Sequence, residues 1–395
     1  MDLNPDMPSN HAHGIIPGNR HSSESPVSRM IKSIKINGYR GFSEFEMSGL
    51  GQVNLLVGTN NSGKTSALEG IYLLASQGDP ASLWSVLWRR GERFERGPET
   101  YPQIDISHLF HGHESQIGAK FSLSATNETP GRGLTFSIVE ANEEQRKKQS
   151  GTGVPVPSRL GLSIKGNPSP SLEVVPLTRS GGVTSEALEM PRRIRRGQAD
   201  DAIMPTLFIT AESLTVDELV GLWDKVTLTP HEERVILALR FLESSIERIA
   251  PQAARRDFTY GNQRGGFLVK LKGHERPVPI GSMGDGMWRI MAMAIAIAQC
   301  KDGVLLIDEI DTGLHYSVMT NMWKLISGAA SELNVQVFAT THSYDCVKSL
   351  AELCYSEPNT AKGVTLQRIE RGKKKSIAYS AEEIETAALH HIEVR

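Results

Sequence analysis

Residues 53–66 read VNLLVGTNNSGKTS. The apolar run 53–57 ends at Gly58, the spacers Thr59, Asn60, Asn61 and Ser62 follow, and Gly63, Lys64 and Thr65 complete the pattern G-x-x-x-x-G-K-[ST]. Each residue type has a physical job in that pattern. The glycines let backbone N–H groups wrap an anion, Lys64 adds a point charge, and Thr65 offers a hydroxyl to Mg²⁺. Ser66 opens a good helical stretch that runs to Ala75. Strand, glycine loop, helix is the context in which such a loop holds a phosphate.

This pattern alone does not choose among kinases, GTPases and ATPases; the downstream order does. Val304, Leu305, Leu306 and Ile307 form a buried-strand run closing on Asp308 and Glu309. Open α/β sheets bind ligands at the carboxyl ends of their strands. Asp308 there can hold Mg²⁺, and Glu309 can orient or deprotonate a water attacking the γ-phosphate. Just upstream, Ser282, Met283, Gly284, Asp285 and Gly286 precede an Ala/Met-rich helix spanning 287–299. A serine and two glycines at a helix N-terminus make a second anion site out of free N–H groups and the positive dipole end. A third apolar strand, 335–341, ends at His342. It is expected beside the acidic strand, which brings His342 near the γ-phosphate as a hydrogen-bond donor. Asp311 to His315 would then form a loop touching an opposite subunit.

Taken in this order, the phosphate loop, SMGDG, LLIDEIDTGLH and ATTHS resemble the ABC-class ATPase heads of the OLD, RecF and SMC group. DEIDTGLHYS followed by FATTHS looks most like the OLD-type heads, the AAA-15/AAA-21 type found in bacterial anti-phage systems. The resemblance covers 30 to about 350. It implies two heads bound head to tail, each ATP lying between the phosphate loop of one copy and residues 282–286 of the other, with hydrolysis gated by closure. Departures narrow the expectation. The 282–286 turn lacks the LSGGQ lettering of transporters, and no long heptad coiled coil is present. The short stretch after His342 holds no Asp beyond Asp345, so the C-terminal TOPRIM nuclease of OLD proteins is not expected in this chain. The Q-loop is not clear, with Gln103 or 105–112 as candidates. A separately encoded effector, a TOPRIM-like nuclease or a toxin, is the implied partner. Two other readings stay open: a RecF-like DNA-repair ATPase, and an ATP-dependent scaffold caging a toxic partner.

The rest of the chain bounds these expectations. At 395 residues and 43.3 kDa it suits one large domain or two linked ones. With 43 basic and 45 acidic residues the net charge is −2, so the bulk positive field of an obligate nucleic-acid binder is missing and only local basic patches leave room for nucleic-acid contact. Three cysteines without metal spacing favour a reducing cytoplasm. No run of eighteen uncharged apolar residues offers a membrane span. The expected architecture is an α/β P-loop head over 30–395, preceded by a disordered tail, 1–29. It carries an antiparallel β subdomain (a period-two meander over 118–176) and a partly helical inserted arm, 178–260. In that arm Pro230 opens a helix with Val235, Leu239, Leu242, Ile246 and Ile249 on one face. His111, His113, His390 and His391 read as solvated rather than metal-binding. The 371–375 stretch reads as a charged hairpin turn, and the basic cluster 192–196 as a loop.

Overall fold

The structure is a computed structural model that describes residues 30–94, 102–126, 131–142, 158–167, 174–188, 204–252, 266–390 and 392–394. The expected tail 1–29, the cluster 192–196 and His391 lie outside the described residues. The chain opens with β1 (Ser33–Tyr39), β2 (Phe42–Met47), β3 (Val53–Val57), α1 (Lys64–Ala75) and α2 (Pro80–Arg89). Next come β4 (Gln103–Asp105), β5 (Lys120–Thr126), β6 (Arg132–Glu140), β7 (Leu160–Asn167), β8 (Val175–Pro176) and β9 (Gly182–Thr184). The meander is therefore real: β2-β1-β5-β6-β7-β8 is a six-stranded antiparallel sheet.

The second half supplies β10 (Thr206–Ile209), α3 (Val216–Trp223), α4 (Pro230–Arg240), β11 (Ile246–Pro251), β12 (Phe267–Leu271) and β13 (Val278–Pro279). After these come α5 (Asp285–Gln299), β14 (Val304–Ile307), α6 (Tyr316–Leu333), β15 (Gln336–Thr340), α7 (Tyr344–Ser356), β16 (Val364–Arg368), β17 (Ile377–Ser380) and α8 (Ala381–Leu389). The functional sheet runs β10-β14-β15-β3-β16-β17, parallel except for β17.

Strand β14 is apolar throughout and β15 is buried along its whole length, with polar Gln336 and Thr340 only at its two ends, because this sheet is covered on both faces. Leu55, Leu305, Ile307, Val337 and Ala339 pack with α5, α6 and α7. The alternate residues Leu56, Leu306 and Phe338 pack with α1 and the antiparallel sheet. Helix α1 is thus sandwiched between two sheets, which explains why it is buried from Ala67 to Leu74 with only Tyr72 partly exposed. The phosphate loop follows β3 directly and so stands at the carboxyl end of that strand, on the same edge as the ends of β15 and β14.

Two expectations need correction. The helix from Pro230 stops at Arg240, and Ile246 and Ile249 belong to strand β11, paired with β12. Their spacing continued the helical stripe by coincidence; Glu243 to Ser245 turn the chain between the two elements. The span 178–260 is also not wholly an inserted arm, because Thr206–Ile209 pairs in parallel with β14 as an edge of the functional sheet. Helices α3 and α4 contribute to the same hydrophobic cluster as α5.

Candidate functional site

The phosphate loop is built around backbone that only glycine accepts. Gly58 has φ +146°, and a Cβ there would lie 2.2 Å from the Ile369 carbonyl oxygen. Gly63 has φ +105°, and its Cβ would lie 2.4 Å from the Phe42 ring. Thr59, Asn60 and Asn61 are exposed at the tip, while Ser62 is buried. The Lys64 ammonium donates to the carbonyls of Gly58 (2.8 Å) and Thr59 (3.1 Å), folding back over the loop it serves. Burial holds its pKa below the usual lysine value, against the opposing pull of Asp308 and Glu309. Ser66 accepts from Arg90 at 3.4 Å.

The order β14-β15-β3 brings the acidic pair to this loop. Thr65 Oγ1 donates to Asp308 Oδ1 at 3.3 Å, across 243 residues of sequence. A second hydroxyl, Thr340 Oγ1, donates to the same oxygen at 2.5 Å and accepts from the Glu309 N–H at 2.9 Å. Thr340 is buried at the end of β15 and holds both acidic residues at once. Glu309 sits at φ +47°, an uncommon conformation for a residue with a side chain. Its carboxylate is part-exposed and faces His342, with Oε1 3.7 Å from Nδ1. Thr341 Oγ1 donates to Asp311 at 2.6 Å, tying the loop after Glu309 to the end of β15. Beside Thr65 and Asp308 lies a cleft of about 230 Å³, also lined by Glu69, Arg90, Phe208 and Glu212. Hydroxyl and carboxylate oxygens converging at one strand end are the hard-donor set that suits Mg²⁺.

Residues 282–286 form an exposed turn at the N-terminus of α5. The Ser282 hydroxyl donates to the Pro279 carbonyl at 2.6 Å. Gly284 is the N-cap at φ +94°, with no side chain capping the helix. Asp285 is exposed in the first turn, and Gly286 packs against Gly313 of the loop after Glu309; a Cβ on Gly286 would lie 3.0 Å from the Gly313 carbonyl oxygen. Gln103 serves no exposed loop: it is buried in β4, where its Oε1 accepts from Thr178 (2.9 Å) and Ser180 (3.0 Å).

Sequence reading missed Thr340 and also Arg289, a buried arginine one turn into α5. Its signal was present as the one charge in the otherwise apolar stretch from Met287 to Ile297. No group of three or more His, Cys, Asp or Glu side chains able to hold a metal ion occurs among the described residues, and none of their helices is long and apolar enough to cross a membrane.

Comparison with known proteins agrees with the fold and with an ATPase. Residues 30–146 match the family described as an AAA ATPase domain, and residues 217–345 match the family described as an AAA domain, putative AbiEii toxin, Type IV TA system. A Helicobacter pylori protein named ATP/GTP phosphatase is 21% identical over 347 residues, spanning 82% of this chain and 88% of its own. An uncharacterised Methanocaldococcus jannaschii protein is 38% identical over 100 residues, 23% of this chain and 42% of its own. Among solved structures, an SMC head bound to the C-terminal winged-helix domain of ScpA superposes with a TM-score of 0.50 at 14% identity, covering 90% of this chain and 99% of that one.

Proposed function

We propose that this chain, a nucleotide-binding P-loop ATPase of the ABC class, closes as a head-to-tail dimer around ATP and drives an anti-phage defence system of the OLD type. The observation that carries the dimer is the 282–286 turn. Ser282, Gly284 and Asp285 are exposed in it, and no side chain caps the fifteen-residue helix α5 that it opens. A triphosphate from a second copy is the anion that fits such a turn.

Within one copy, Gly58, Thr59, Asn60, Asn61, Ser62, Gly63 and Lys64 cradle the phosphates, with Ser66 behind them. Thr65 and Asp308 would hold Mg²⁺, whose chemistry is to neutralise charge that develops on the transferred phosphoryl group. Glu309 orients the attacking water and accepts its proton, and His342, facing that carboxylate, donates to the γ-phosphate. Ser282, Gly284, Asp285 and Gly286 complete the site from the other copy.

The defence role rests on the OLD-type motif order and on the toxin–antitoxin description of the matched family. In this reading the chain works with a separately encoded effector, a TOPRIM-like nuclease or a toxin. Glu309→Gln tests the catalytic core: the variant is expected to bind ATP with parental affinity, lose at least a hundredfold in turnover, and accumulate closed dimer. Parental turnover in that variant would remove Glu309 from the mechanism.

A further inference from the structure

Arg289 lies on the third side of the acidic pair and has no part in the mechanism above. It is buried in an apolar helix, 2% exposed. One of its guanidinium nitrogens donates to the Thr210 carbonyl at 2.5 Å; the other donates to the carbonyls of Asp308 (2.7 Å) and Glu309 (2.9 Å). Its Nε–H has no hydrogen-bond partner among the described residues. A buried guanidinium is costly, and burial pushes its pKa down to about 10 in spite of Asp308, Asp311, Glu309 and Glu212 nearby. Its three acceptors are backbone carbonyls, two of them those of the consecutive residues 308 and 309, where the chain takes the left-handed turn at Glu309. An aliphatic side chain would fill the same space without that cost, so packing alone does not account for an arginine here.

We infer that Arg289 is a positioning residue that fixes the backbone of Asp308 and Glu309 and couples the 282–286 turn to them. This rests on the dimer reading above. Arg289 is one turn along α5 from Gly284 to Gly286, so a shift of the helix end reaches the acidic pair through one rigid fork. Thr340 grips the same pair from β15 through the Asp308 side chain and the Glu309 N–H; Arg289 grips it from α5 through the carbonyls. Seating a triphosphate on the turn of one copy would thereby set the direction of Glu309 in that same copy. The two sites of a dimer would then be coupled through the helix of each subunit.

The experiment compares Arg289→Met and Arg289→Lys in the full chain, each alone and combined with Glu309→Gln. Arg289→Met is expected to lower kcat at least tenfold with KM and the Kd of a fluorescent ATP analogue within threefold of the parent. Arg289→Lys, which keeps the charge but not the fork, falls in between. On the Glu309→Gln background, Arg289→Met should change the residual turnover less than twofold, because both substitutions disable the same group. A purely structural role would instead lower both backgrounds by the same factor, and that result overturns the inference, as does a kcat within twofold of the parent. Should Arg289→Met fail to fold, Arg289→Lys carries the same comparison. The proposed mechanism is judged separately, by Glu309→Gln alone.

Discussion

Thr340 is a polar group whose oxygen has two assignments, one to the Asp308 carboxylate and one to the Glu309 N–H. Replacing it with valine keeps the shape and removes both bonds, leaving the part-buried Glu309 N–H without its partner at a cost of about 1 kcal/mol, the low end for a group that water partly reaches. The effect on chemistry should be larger than that on stability, since groups that orient metal-binding and catalytic carboxylates are typically worth about 10–100-fold in activity. Thr340→Val is therefore expected to lower kcat by that range while Thr340→Ser stays within about threefold, both read by steady-state turnover. Equal turnover for the two would show that the hydroxyl does not orient the pair. Sequence alone marked the strand carrying Thr340 and the histidine after it. It could not mark Thr340 itself, because which residue of β15 meets Asp308 and Glu309 depends on the pairing register of β15 against β14, Ile307 opposite Ala339, and the pattern of the two strands does not fix that register.

Among the elements, those legible in the sequence had uniform patterns. The all-apolar run of 304–307, the two-residue alternation of the meander and the fixed glycine positions of the loop are each a pattern that a single stretch of sequence displays by itself. Strand β16 had no such pattern. It reads VTLQR, and its buried Gln367 looks like a surface residue until its partners, Ser48 O and the Ser376 hydroxyl, are seen. Yet β16 pairs along the whole of β3, and Ile369, just beyond it, forbids any side chain at Gly58. Helix α1 shows the reverse case, a charge hidden in an apolar stretch. Its Glu69 is buried between Arg40 Nε (2.9 Å) and Arg90 Nε (2.6 Å), and Glu92 forms a bidentate pair with Arg40. Burial raises the Glu69 pKa and the arginines oppose the rise. Glu69→Ala should cost about 3 kcal/mol, the low end for breaking a buried pair, because Arg40 keeps Glu92 and Arg90 is partly exposed. The midpoint of urea unfolding measures it; a loss below about 0.5 kcal/mol would mean that the cluster contributes no net stability.

For the whole molecule, two cores share one parallel sheet, and the phosphate loop, the acidic pair and His342 stand along its carboxyl edge. The 282–286 turn belongs to the helical side of that sheet and α1 to the side facing the antiparallel sheet. In the proposed dimer the turn of one copy would meet the phosphate loop of the other. The direct test mixes a Ser282→Cys chain with an Asn61→Cys chain, both in the Glu309→Gln background, and adds a short bifunctional thiol cross-linker. Both positions are exposed, whereas Cys300, Cys346 and Cys354 are buried, with thiols that burial makes harder to ionise. A covalent dimer of one chain of each kind, formed with ATP and Mg²⁺ and lost without nucleotide, is the predicted result. No such cross-link in any nucleotide state, in protein shown to bind ATP, would contradict it.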